Sequence, residues 1–128
     1  MIQKFGDIRT NPARALQVYL ILIGAAKNRQ TLTYGALADM LGFQGAGVLA
    51  HILGHIMYWC HEESLPSLTS LVVNKESGLP GPGLSAPADV NSERERIYEY
   101  DWYGIVPPTM EQLEAAYSRG SSKQAGAS

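Results

Sequence analysis

The sequence predicts a single α+β domain, and three observations carry that expectation. Apolar residues recur at three- and four-residue intervals between Asn11 and Met57, the signature of amphipathic helices. A β-prone run, Leu68 to Val73, then breaks the helical pattern. A Pro/Gly-rich stretch follows, and it separates the run from a more polar C-terminal third. At 128 residues the chain matches one compact domain. With 45% hydrophobic and 17% charged residues, it can build an ordinary core with fewer charges than the roughly 25% usual for soluble domains. Collagen, coiled coil and wholesale disorder are excluded.

Each element has a local cause. Asn11-Pro12 starts the first helix, with the Asn side chain placed to cap and Pro at the first helical position. Leu16, Tyr19, Leu20 and Ile23 form its apolar face, widened by Val18, Ile21 and Leu22. Asn28-Arg29-Gln30 breaks it, and Thr31-Leu32-Thr33 suits a short strand. Thr33 caps a helix from Tyr34 to Leu41, which Gly42 stops. After the small-residue turn Gln44-Gly45-Ala46-Gly47, a further helix runs from Val48, with Leu49, Ile52, Leu53 and Ile56 on one side. A short helix, a tight turn and a second helix have the spacing of a helix-turn-helix.

Leu68 to Val73 is expected to be a strand, Asn74 to Gly78 a turn and Leu79 to Pro87 an irregular loop. That order is the order of a winged helix. Ser92 and Glu95 have capping-box spacing and open a helix near Asn91. Its end is open: Tyr98, Tyr100 and Trp102 alternate as in a strand, whereas Ile97 and Asp101 fit a helical turn. Pro107-Pro108 forbids helix, and Thr109 with Gln112 opens the last one, with Leu113, Ala116 and Tyr117 as its buried face. The division expected is a winged-helix domain over 1–90, a helical extension packed on it over 91–119 and a disordered tail over 120–128.

The formal charge of −2 and a pI near 5.9 argue against a simple basic nucleic-acid binder. The charge is uneven, however: Lys4, Arg9, Arg14, Lys27 and Arg29 face only Asp7 in the N-terminal thirty residues, while the C-terminal part is acidic. The apolar run from Ala15 to Ala26 follows basic residues as in a signal peptide. It is too short to span a bilayer and is broken by Gln17, so a buried helix and a cytoplasmic protein are expected. One cysteine, Cys60, excludes an internal disulfide and suits a reducing compartment.

Three kinds of chemistry can be weighed on the residues. His51 and His55 have the i, i+4 spacing of metal ligands, with Cys60-His61 beyond, but no acidic residue lies between the two, and solvent-facing or helix-end histidines are the simpler reading. No metal and no cofactor is expected. Cys60 lies between Tyr58-Trp59 and Glu62-Glu63, which is not the electropositive setting of a reactive thiol. Gly81-Pro82-Gly83 lacks a phosphate-binding fingerprint, because Pro82 offers no N–H.

The helix pair and strand carry a more specific signal. Thr33-Tyr34-Gly35-Ala36-Leu37-Ala38-Asp39-Met40-Leu41-Gly42, then Ala46-Gly47-Val48-Leu49-Ala50-His51-Ile52-Leu53, then Leu71-Val72-Val73 with Ser77-Gly78, resembles the C-terminal DNA-binding domain of O6-alkylguanine-DNA alkyltransferases and alkyltransferase-like proteins. The resemblance covers roughly residues 15–84. It implies that Tyr34 falls on the tyrosine that presses on the phosphate beside a flipped nucleotide. It also puts Gly47 where the family has its arginine finger, and Leu68-Thr69-Ser70-Leu71 where it has Pro-Cys-His-Arg. Thr69 thus stands at the nucleophile and Ser70 at the histidine, so alkyl transfer is not implied.

The function expected is therefore non-catalytic DNA binding of the winged-helix type, through Tyr34, Gly47, His51, His55, Lys75 and Arg29. The alternative is a protein-interaction module that reuses the scaffold, with a partner on Tyr98, Tyr100, Trp102 and Tyr103, where aromatic rings alternate with acids. Packing of those rings on the core is the simpler reading of that run. An enzyme using Thr69, Ser70 or Cys60 is the weakest class.

Overall fold

In the computed structural model, which describes residues 1–8, 10–80 and 89–126, five helices are joined by a small two-stranded parallel sheet, an α+β arrangement. The first helix, α1 (Asn11–Lys27), is the central one. It packs against the later helices and against the 3-10 turn that precedes the second strand. Its cap is Thr10, whose Oγ1 accepts from the Ala13 N–H at 3.4 Å, and not Asn11, which is already the first helical residue. Val18, Tyr19, Leu22 and Ile23 are buried; Leu20, expected on the same face, is exposed. The helix closes through Gln30 N–H to Ala25 carbonyl, with Arg29 in the left-handed region at φ 54°.

Strand β1 (Leu32–Thr33) leads directly into α2 (Tyr34–Leu41). Thr33 Oγ1 caps that helix by accepting from Ala36 N–H at 3.1 Å, and Gly42 ends it at φ 77°. The next helix is α3 (Leu49–Glu62), the longest element after α1 before the sheet closes. The expected strand from Leu68 to Val73 is only partly one. Leu68–Leu71 forms a 3-10 turn, held by Ser70 N–H on the Ser67 carbonyl, and only Val72–Val73 is strand β2. All six residues are buried, and burial on every side explains an apolar run equally well without a strand.

β2 pairs parallel with β1, Leu32 opposite Val72 and Thr33 opposite Val73. Parallel strands need a crossover, here α2 and α3. Beyond β2 the chain reverses through Asn74–Gly78, with Gly78 at φ 68° and an antiparallel bridge from Val73 to Pro80. Of the expected Leu79–Pro87 loop, residues 81–87 lie outside the described residues.

Helix α4 (Val90–Glu99) is capped by Asp89, whose carboxylate accepts from both the N–H and the hydroxyl of Ser92. The expected Ser92–Glu95 box does not form, because Glu95 is turned toward Arg29. The helix stops at Glu99, and Trp102–Gly104 makes a 3-10 turn capped by Asp101, which settles the ambiguous end. The last helix, α5 (Met110–Gly126), opens on the reciprocal Thr109–Gln112 box that its sequence indicates. It does not end at Gly120: helix continues through Gly126, where a loose tail was expected, and Ser121 Oγ turns back to the Tyr117 carbonyl at 2.7 Å.

The core is aromatic at its centre. The Tyr19 ring meets Trp59 edge-on at 5.7 Å and Trp102 at 6.5 Å. Its hydroxyl has no hydrogen-bond partner among the described residues, and burial, followed by nearby Cys60 and Tyr100, pushes the phenol pKa up to about 12.

Candidate nucleic-acid interface

The expected surface residues fall into two groups. Tyr34, half-buried, occupies the first turn of α2, and Lys75 is exposed in the turn after β2. The parallel register settles their relation: with Thr33 opposite Val73, both chains leave the sheet at the same end, one into Tyr34 and the other into Asn74-Lys75. Gly47 is exposed just before α3, with open space where a Cβ would stand.

His51, His55 and Arg29 serve contacts within the chain. α5 lies across the side of α3 that carries both histidines. The Tyr117 ring stacks on His55 at 4.3 Å, nearly parallel, and its hydroxyl hydrogen-bonds His51 Nε2 at 2.8 Å. Gly54 allows this approach, since a Cβ there would stand 3.1 Å from the Tyr117 ring. His55 is 3% exposed and donates from Nδ1 to the His51 carbonyl at 2.8 Å. Because a carbonyl only accepts, the proton sits on Nδ1. Arg29 reaches instead to α4, bridging both Glu95 oxygens at 2.7 and 2.6 Å while its guanidinium lies 4.9 Å over the Tyr98 ring. The sequence reading missed α5 as a cover for α3. Its one available signal was Tyr117 on a face already assigned to burial.

Burial, set against the His51 carbonyl and a distant Glu114 that favour charge, pulls the His55 pKa below its usual value; His51 adds a smaller push the same way. The charged form is thus better tolerated by the unfolded chain. Stability from this group is full above the unfolded pKa of about 6.5 and is lost as pH falls below it, until the lower folded pKa is reached. The melting temperature should therefore decline as pH drops below about 6.5, before carboxylates titrate near 4, and His55→Phe should remove that portion. An unchanged slope in the variant would assign the effect to other groups.

The remaining candidates lie inside. Cys60 is buried, and burial pushes its thiol up to about 12 against a weak opposing hydrogen bond at Leu68, which leaves almost no thiolate. Thr69 and Ser70 are each 1% exposed, and neither hydroxyl has a hydrogen-bond partner among the described residues. Among the described residues, no group of three or more His, Cys, Asp or Glu side chains is arranged to hold a metal ion. Trp102 is buried, with Nε1 donating to the Ile97 carbonyl at 2.8 Å; Tyr98 and Tyr100 pack on the core, and of the four rings only Tyr103 is well exposed.

Comparison with family models, curated proteins and solved structures finds no match to this chain. No described helix is long and apolar enough to cross a membrane. The functional reading therefore rests on the geometry.

Proposed function

We propose that this chain is a non-catalytic DNA-binding protein on an alkyltransferase-like winged-helix scaffold. It meets the duplex at the end of the sheet from which Tyr34 and Lys75 emerge, with the Gly45–Gly47 turn as the second contact. The observation that carries this reading is the Thr33–Val73 register, which brings an aromatic ring at a helix start and a cation in a turn to one end of the sheet. Small residues at 45–47 leave room for close backbone approach to a sugar-phosphate chain. α3 contributes its first turn only, because its histidine face is covered. Sequence readout through base edges is correspondingly small, and phosphate contact dominates.

A duplex with and without an O6-alkylguanine, followed by fluorescence anisotropy at two salt concentrations, tests this. Binding should be salt-sensitive. Lys75→Glu should weaken it and lower the salt slope by about one phosphate equivalent. Tyr34→Ala should abolish any preference for the altered base, because the ring that would press on the backbone is gone. Absence of binding at low salt would discard the proposal.

Two observations favour a second reading, a protein-interaction module: α5 occupies the side of α3 that a recognition helix would present, and Arg29 is held by Glu95. Its partner surface would center on exposed Tyr103, since Trp102 is core. A Tyr103→Ala variant that loses a partner while keeping its duplex affinity separates the two.

A further inference from the structure

We propose that the cleft where the end of α3 meets the 64–67 connection, α4 and α5 binds a small amphipathic oxyanion, a carboxylate or phosphate ester joined to an apolar group. The cleft lies at the opposite end of α3 from the Gly45–Gly47 turn, so it is a site beyond the DNA surface. Its volume is about 510 Å³, within the range of small-molecule sites. Met57, Tyr58 and Leu65 form an apolar wall, and Arg96, Lys123 and His61 line the same cavity.

The charge balance gives the sign of the ligand. Glu62, which also lines the cleft, is paired with Arg119, with Nε at 3.0 Å and Nη2 at 2.7 Å from its two oxygens. Glu93 is 7% exposed; it accepts from Ser67 N–H at 2.6 Å and from Arg96 Nη1 at 2.9 Å. Both carboxylates are thus matched by an arginine, whereas Lys123 and His61, which lie close enough to Glu62 to favour its charge, make no hydrogen bond or ion pair among the described residues. The helix end, which would repel an anion through its bare carbonyls, is closed: Glu63, Ser64 and Leu65 N–H groups cover the carbonyls of Trp59, His61 and Cys60. Among the lining side chains and their ion-pair partners, Arg96, Arg119 and Lys123 oppose Glu62 and Glu93, which leaves the Lys123 charge in excess beside the apolar wall, while Glu63 lines a neighbouring cleft with Arg119. Gly120 shapes that wall, since a Cβ there would land on the Tyr58 ring.

The test is an NMR titration of the full chain with phenyl phosphate and phenylacetate, with inorganic phosphate and benzyl alcohol as the charge-only and apolar-only probes. Shifts should concentrate at Tyr58, Leu65 and Lys123 for the two organic anions, and whichever binds more tightly names the oxyanion. Lys123→Gln should weaken them about fivefold, Lys123→Arg should restore them, and benzyl alcohol should be indifferent to both changes. Lys123 is exposed, so the fold is retained, which an unchanged amide spectrum away from the cleft would confirm. No shift with either organic anion, equal affinity in Lys123→Gln, or binding of inorganic phosphate as tight as that of phenyl phosphate would each overturn the proposal.

Discussion

Replacing Trp102 with alanine is expected to destabilise the fold by about 3–5 kcal/mol, the range for deleting a buried aromatic ring. The ring is 3% exposed and sits between Tyr19, at 6.5 Å, and Tyr100, at 4.7 Å. Its loss opens a cavity against α1, and it also leaves the Ile97 carbonyl without the indole N–H. Against a typical total of about 5–15 kcal/mol, such a loss brings the protein close to unfolding. Trp102→Phe should recover most of the packing and remain short by roughly one hydrogen bond, about 1 kcal/mol. Urea denaturation of both variants checks this, and a loss of less than about 1 kcal/mol in Trp102→Ala would mean that the residues after α4 are not part of the cooperative core.

Tyr117→Ala is expected to cost about 2–3 kcal/mol, less than a fully buried ring because one edge of Tyr117 faces solvent. The substitution removes the stack on His55, the hydroxyl on His51 and the edge contact with Tyr58 at 5.8 Å, all of which join α5 to α3. Two readouts separate loosening of α5 from general damage. The His55 pKa should move back up toward its usual value as water reaches the ring, and amide protection should fall over α5 before it falls over α1. On the winged-helix reading the same variant uncovers the histidine face of α3, so duplex affinity rises. Uniform loss of protection across all helices would show instead that α5 folds with the rest.

Several helix boundaries are legible because their cause is local. Thr33 caps α2 and Gly42 ends it because capping and left-handed geometry involve residues only a few positions apart. The Thr109–Gln112 box opens α5 for the same reason. The cap of α4 was misread although it too is local. Asp89 and Glu95 both competed for the role, and Glu95 was drawn off by Arg29, 66 positions away. The Leu68–Val73 run shows another limit: β-prone composition says that the segment is buried, and only its neighbours decide that four of those residues coil.

The candidate site was half legible. Residue type and resemblance make Tyr34, Gly47 and Lys75 candidates, yet nothing along the chain reveals that Tyr34 and Lys75 share an end of the sheet; that follows from a two-residue pairing between segments far apart. His51 and His55 read as surface groups on the spacing of α3 alone; His55 is buried beneath the Tyr117 ring, and His51, though still exposed, is held by the Tyr117 hydroxyl. By itself, then, the sequence determined which segments are helical, where most of them begin and end, and which apolar faces must be hidden, since these follow from backbone geometry and periodicity over a few turns. The tertiary structure decided which polar residues remain at the surface. A histidine, an arginine or a glutamate is equally suited to water, to DNA or to a distant partner in its own chain, and that choice is made only when the helices pack.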